Sequence, residues 1–337
     1  MVNYTQSQLS IGLDISKESI SIFVPKSSLD LEINNTQKDI KSFYSKLKKI
    51  YKKEIENIVF VYEPTGSYSE LLKKFCANKK IHSFILNPKR SHNFAKAYGN
   101  RNKTDKIDAR LLSEAIVLAK DGEIAIPVIN PLVETIKEMM SYYKFTIKQR
   151  VMANNHLESI SSKDGDTYVI KSLQKEIKIL KDKESEIIDN IKSIIDNDEN
   201  LLQGYENIKT VMGIGEIGAI VLLHLFIKYP NANKRQLTSL VGLDPIVFKS
   251  GSSVDKRIKI SKAGSTLYRG SLFMGVMTAV RHNSEMKCFY ERLKSNGKHT
   301  GTAQIAVMRK MIIIAHSLYK NNQQYSSDVY KKACGMN

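Results

Sequence analysis

Between Ser10 and Asn35 the chain alternates short runs rich in apolar and β-branched residues, SIGLDIS, SISIFVP and LEINN, with turns too brief for a crossover helix. That spacing predicts an antiparallel meander of three strands. The rhythm then changes, and in QKDIKSFYSKLKKIYKK (37–53) apolar side chains recur at Ile40, Phe43, Leu47 and Ile50 with a helical period. A strand (NIVFVYE), a helix (SYSELLKKFCANKK) and a further strand (HSFILN, closed by Pro88) come next. TDKIDARLLSEAIVLAKDG (104–122) predicts an amphipathic helix with Thr104 as its N-cap.

Three antiparallel strands followed by α-β-α-β is the order of a ribonuclease H-like domain. After it, IPVINPLVE (126–134) with its two prolines predicts a linker. Two long helical patterns follow. In the second, Leu173, Ile177, Leu180, Ile187, Ile191 and Ile194 recur in steps of three and four, interrupted by Glu184 where another apolar residue is due. This is the seam of a coiled coil of about three heptads, formed within the chain or between chains. From Leu201 the pattern is helical again. ENIKTVMGIGEIGAIVLLHLF (206–226) has the form of a helix-hairpin-helix, with Gly213 and Gly215 presenting backbone N–H groups to a phosphate; a plain core hairpin of helices fits equally well. DPIVFKSGSSVDKRIKISKAG (244–264) is rich in Ser, Gly and Lys and reads as a long functional loop. The expected fold class is α/β plus α: an N-terminal domain at 1–125, a linker and coiled-coil helices at 126–200, and a mostly helical C-terminal domain at 201–325.

Charge changes the picture. Lys and Arg number 52 against 34 acids, a net charge of +18. Sixteen Lys/Arg against four acids lie between Asn231 and Lys320, so +12 of the excess is concentrated there. A basic field of this size suits a polyanion, nucleic acid ahead of membrane. Cys76, Cys288 and Cys334 are isolated, which argues against a zinc site or a disulfide scaffold. The start MVNYTQSQLS has no apolar signal region, and the longest apolar run, 217–227, is shorter than the ~18 residues a bilayer needs. A cytosolic protein is expected.

The candidate chemistry lies in carboxylates. Asp14 sits in the first strand and Glu63 ends the strand that ribonuclease H topology would place beside it, while Asp105 and Asp108 share one helix face. Four converging carboxylates repel one another without cations, and two magnesium ions would neutralise them and suit phosphodiester chemistry. A strand-end acid turned to solvent and ordinary acidic residues at a helix N-terminus account for each acid singly; their joint occurrence is what points to a site. Arg101 and Lys103 precede the acidic pair, where they could hold a DNA phosphate.

Taken together, GLDISKESISIFV, EPTGSY, NP at 87–88, RNKTDKIDARLL, GIGEIGAIVLL, LVGLDP and SGSSVDKRIKISKAGSTLYR resemble the DEDD transposases of insertion sequences, the bridge-RNA-guided recombinases. The motifs run in family order from Ile11 to about Tyr319. The resemblance implies a RuvC-like N-terminal domain, a coiled-coil middle and a C-terminal domain supplying a nucleophilic serine. It assigns the metal-binding tetrad to Asp14, Glu63, Asp105 and Asp108 and the nucleophile to Ser250, with Ser253 and Ser252 as alternatives. Lys249, Lys256, Arg257, Lys259 and Lys262 would supply positive charge around that serine, and Gly251 would let the DNA backbone approach closely. The partners it implies are the DNA of element ends and target, a non-coding guide RNA and further copies of the chain in a synaptic homo-oligomer. Two other readings of the residues stay open at this point: a metal-dependent junction endonuclease using water, and a non-catalytic nucleic-acid-binding protein. A sugar-kinase-like ATPase, suggested by IGLDIS, lacks the later phosphate-binding Gly loops.

Overall fold

The computed structural model describes residues 9–98, 105–250 and 254–328; the side chains at 105, 106, 248–250 and 254–257 fall outside that description. Thr104, Arg101, Lys103, Gly251, Ser252, Ser253 and Cys334 therefore lie outside the described residues. The chain divides into two compact units, 1–129 and 130–337.

The first unit is a mixed sheet. Its strands are β1 (Ser10–Ile15), β2 (Ser19–Val24), β3 (Leu29–Asn34), β4 (Val59–Tyr62), β5 (His82–Ile85) and β6 (Ile124–Ala125), in the order β3-β2-β1-β4-β5-β6. The meander β1-β2-β3 is antiparallel, β4 and β5 join it in parallel, and β6 closes the edge antiparallel. Helices α1 (Gln37–Tyr51), α2 (Glu70–Lys79), α3 (Pro88–Ala97) and α4 (Asp105–Glu114) complete it.

Strand period explains the two cores. Ile11, Leu13, Ile15, Phe60 and Tyr62 pack with Ile40, Phe43 and Leu47 of α1 and Leu72 of α2 on one face. On the other face Val59, Val61 and Phe84 pack against Leu112 of α4 and Ala115 and Ile116 just beyond it. All four residues of β4 are buried, as expected for a strand covered on both sides. Two boundaries differ from those the pattern predicts. Pro88 does more than close a strand: it is the first residue of α3, where its missing N–H costs nothing, and the Asn87 side chain caps the Lys89 amide. The predicted helix at 104–122 is α-helical only to Glu114 and continues as a 3₁₀ turn to Leu118.

The second unit is mostly helical: α5 (Pro131–Ser161), α6 (Thr167–Asp196), α7 (Glu199–Lys209), α8 (Glu216–Lys228), α9 (Lys234–Val241), α10 (Thr266–His282), α11 (Ser284–Ser295) and α12 (Thr300–Asn321). The stretch predicted as a linker contains the start of α5, because Asn130 caps the amides of Leu132 and Val133 and Pro131 suits a first helical turn. α5 and α6 pack on one another as a helical hairpin within the chain. Glu184, the break in the apolar seam of α6, lies against Arg150 of α5 with Nε–Oε1 at 2.6 Å. The stretch 244–264, expected as a loop, holds a two-stranded hairpin, β7 (Pro245–Ser250) and β8 (Val254–Ile260). Ile246, Val247, Phe248, Val254, Ile258 and Ile260 supply the β-branched and aromatic content of its strands.

α8 is buried throughout from Gly218 to Phe226, the mark of a helix surrounded by others. Within it stands His224, 2% exposed, its Nδ1 3.1 Å from the Tyr268 hydroxyl. Burial, with Lys228 nearby, holds this imidazole down at about 4. Folded, it stays neutral; unfolded, it takes up a proton below about 6.5. Stability should thus be unaffected by His224 at neutral pH and fall by roughly 3 kcal/mol as pH drops from about 6.5 to 4. Denaturant titrations between pH 7.5 and 4.5 on wild type and His224→Gln check this, the variant losing that part of the slope.

Candidate active site

In the first unit Asp14 lies in β1, Glu63 directly after β4, and Asp105 and Asp108 in the first turn of α4. β1 and β4 are in parallel register from Ser10↔Val59 to Leu13↔Tyr62. Asp14 is the next residue of β1, and Glu63 is the first residue after β4. Leu13 and Tyr62 belong to the core under α1 and α2, so by strand alternation Asp14 and Glu63 face the opposite side, the side covered by α4.

How α4 lies there is set by small residues on β1. The Ser10 hydroxyl donates to the Ser113 carbonyl at 2.7 Å. Two residues on, Gly12 meets the helix backbone: a Cβ there would lie 1.9 Å from the Ala109 carbonyl oxygen and 2.6 Å from the Ser113 nitrogen. α4 therefore runs back along β1, losing one turn for every two strand residues. Two strand residues cover about 6.6 Å and four helical residues about 6 Å, so Asp14 comes level with the first turn of α4. Asp105 and Asp108 are in that turn. Asp14, Glu63 and Asp108 are each half-buried, and the Asp105 side chain is outside the description. Among the described residues no three His, Cys, Asp or Glu groups stand close enough to hold a metal ion.

Sequence reasoning missed the residues that seat α4. Arg110 reaches across the meander, its Nε donating to Asp30 of β3 at 3.0 Å and its guanidinium 5.1 Å from the centre of the Phe23 ring. Gly12 carried a readable signal, since a glycine inside a strand marks close approach of another backbone.

Ser250 belongs to the second unit. It is the last residue of β7, paired with Val254 of β8. Lys249 is paired in register with Asp255, Phe248 with Lys256 and Ile246 with Lys259; Arg257 is on the same strand as these two lysines. Lys259 and Lys262 are exposed. The root of the hairpin is tightly built. Gly242 is left-handed at φ +73, and a Cβ on it would stand 2.6 Å from the Gly264 nitrogen; one on Gly264 would stand 1.9 Å from the Leu240 carbonyl oxygen. Arg269 donates through Nη1 to the carbonyls of Val241 and Gly264, both at 2.7 Å, and the Ser261 hydroxyl donates to Asp244 at 2.5 Å. None of these clamping residues was singled out from the sequence.

Gly213 and Gly215 lie in the turn from α7 to α8. Gly213 has φ +93, and a Cβ there would be 2.3 Å from the Gly275 carbonyl oxygen of α10, so the turn is pressed onto a neighbouring helix. Gly215 is the N-cap of α8, with open space where a Cβ would be.

A mixed α/β unit carrying carboxylates at one sheet end, joined to a basic helical unit, accords with the DNA transposases, and the comparisons make the class definite. Residues 11–160 match the DEDD transposase model of IS110 type, and residues 205–291 match the model of the transposase IS116/IS110/IS902 family. The chain belongs to the IS110 family of transposases, which act as DNA recombinases. Pilin gene-inverting proteins of Moraxella bovis and Moraxella lacunata are each 26% identical to it over 278 residues, covering 80% of this chain and 83% of theirs. No helix among the described residues is long and apolar enough to cross a membrane.

The seating of α4 generates a prediction. Gly12→Ala must push the helix off the sheet or distort β1, at a cost of about 1–3 kcal/mol of stability. Recombination should fall out of proportion to that loss, because the helix turn bearing Asp105 and Asp108 moves away from Asp14. Denaturation midpoints and a recombination assay on folded protein check the two effects separately.

Proposed function

We propose that this transposase excises and inserts its own element by site-specific recombination, with Asp14, Glu63, Asp105 and Asp108 as a magnesium-binding tetrad and Ser250 as the nucleophile. The single observation that supports the reading is the parallel register of β1 and β4, which runs to Leu13↔Tyr62, one residue short of Asp14 and Glu63. Like charges at neighbouring strand positions repel, and a cation relieves the repulsion. The donors are all carboxylate oxygens, which suits a hard ion such as magnesium. When bound, such ions supply stabilisation of the charge that builds on phosphate oxygens.

On this reading the first unit is a ribonuclease H-like domain of RuvC type, the α5–α6 hairpin serves as a coiled coil, and the α7–α8 turn serves as a helix-hairpin-helix. The domain boundaries we favour remain 1–125, 126–200 and 201–325. Ser250 Oγ attacks phosphorus and forms an O–P bond while the bond to the leaving deoxyribose oxygen breaks; the hydroxyl proton ends on that oxygen. The phosphoserine link conserves the energy of the cleaved bond, so rejoining to a new strand needs no external energy source. Lys249, Lys256, Arg257, Lys259 and Lys262, with Arg101 and Lys103, hold DNA phosphates. A firmly rooted hairpin with the serine at its tip supports this role. Target and donor sequences are selected by a non-coding guide RNA, since phosphate contacts by themselves give affinity without sequence choice. The working form is a homo-oligomer on DNA.

A protein–DNA adduct that survives denaturing gels should form with wild type and map by peptide mass to 249–256. Ser250→Ala should abolish it and lower recombination at least about a thousandfold. Asp14→Asn, Glu63→Gln or excess chelator should stop strand cleavage with folding retained. Cutting without an adduct would replace the serine by water as nucleophile, and normal recombination in chelator would remove the metal. Unchanged recombination after ribonuclease treatment would remove the guide.

A further inference from the structure

His316 of α12 is 6% exposed and packs edge-on against Phe226, with 5.1 Å between the ring centres. Its ring nitrogens have no hydrogen-bond partner among the described residues. A buried imidazole in that position gives up the hydrogen bonds water offers unless something bound to the protein restores them. The ring lines an open cavity of about 700 Å³ formed by the end of α12 and the start of α9, so an occupant of that cavity can reach it.

The groups around His316 are cations and donors. The Ser317 hydroxyl accepts from the Asn321 side-chain amide at 3.3 Å, which leaves its own proton to donate. Lys234, Arg235 and Lys320 are exposed and form no ion pair with a described residue, and no carboxylate is among the lining residues. Lys320 stands in the last turn of α12, where the helix carbonyls are a partial counter-charge. Lys234 and Arg235 have the opposite setting. They open α9, whose first turn holds no acid, so the positive end of the helix dipole adds to their charge. The α9 amides themselves are taken: Asn233 accepts from those of Arg235 and Gln236 in a capping box. Burial, with Lys320 and Lys234 nearby, lowers the pKa of His316, so its ring is neutral at neutral pH and has one N–H to donate.

We propose that this cavity holds a backbone phosphate of a bound nucleic acid, with Lys234 and Arg235 countering its charge and His316 and Ser317 donating to its oxygens. Cations and donors gathered without an acid call for an anion. Phosphate oxygens accept from several directions at once, as donors on two separate helices require. Ala232 is the one apolar side chain of the lining, so the cavity has no wall for a base to stack on, and the contact holds a strand without reading its sequence. The inference rests on the transposase reading only in the kind of polymer it names, and it uses neither the acids of the first unit nor Ser250.

The test uses purified full-length protein labelled with ¹³C-histidine and three probes: inorganic phosphate, a DNA duplex and a thymidine decamer. The His316 ring signal, identified by its loss in His316→Gln, should shift with inorganic phosphate and with at least one of the two nucleic acids. Arg235→Gln should lower the slope of log affinity against log salt by about one, and the double change Lys234→Gln, Arg235→Gln by about two, equally for DNA of unrelated sequences. His316→Gln removes no charge at neutral pH, so it should weaken binding about threefold with the slope kept. An unaltered melting curve checks its fold, and Ser317→Ala makes the same comparison from a less buried position. A His316 signal unmoved by every probe would overturn the site, as would a slope unchanged in the double variant. A shift with inorganic phosphate alone, with nucleic-acid affinity the same in all variants, would overturn the backbone assignment in favour of a small phosphate compound. Wild type that binds DNA through these residues yet fails to recombine would count against the recombinase mechanism and leave the phosphate site standing.

Discussion

The approach of the Ala109 carbonyl to Gly12 governs the first unit. Where a strand residue has no Cβ, a helix can settle onto the sheet backbone itself. That depth fixes the height of α4 above β1, and Ser10 fixes its position along the strand by donating its hydroxyl to the Ser113 carbonyl. The helix start is then level with Asp14 by geometry alone. Arg110 adds a third point of attachment, to Asp30 and the Phe23 ring, well to the side of the other two. Three points define a plane, so the rotation of α4 is held as well as its height. A carboxylate site assembled from a strand and a helix needs that rotation fixed, since about 100° of turn per residue would carry an acid from one side to the other.

The sheet was legible because strand period and helix period differ sharply in residues 10–85, and Asp14 and Glu63 stood out there because each follows an apolar run. What escaped was of two kinds. The hairpin at 245–260 was hidden by composition: Ser, Gly and Lys dominate the stretch and mask the β-branched residues that pair. The clamps were hidden by distance. Arg269 answers carbonyls at 241 and 264, and Gly242 needs its small size only because Gly264 lies against it. A sequence pattern cannot announce a contact between residues that share no period.

In the second unit, buried polarity is sparse and specific. His224 is the one ionisable side chain in the fully buried run of α8, and it has the Tyr268 hydroxyl beside it. The positive charge of the region is instead spread on its outside, on the hairpin at Lys259 and Lys262 and along the outer border of α12. One charged side chain is an exception among the described residues: Glu285 is 4% exposed and accepts from the Ser327 hydroxyl.

The pair Arg150–Glu184 has a consequence for the α5–α6 hairpin as an object of definite length. Two apolar helices can slide past one another by a heptad with little loss, since one leucine-like contact replaces another. A single charged rung, with Glu184 only 13% exposed, removes that freedom, because any slip would strand a carboxylate against hydrocarbon. Helices of 31 and 30 residues span about 45 Å each. Locked at one rung, they form a ruler: the distance from the root of the arm to its tip is set by covalent geometry and cannot be shortened by shuffling the helices.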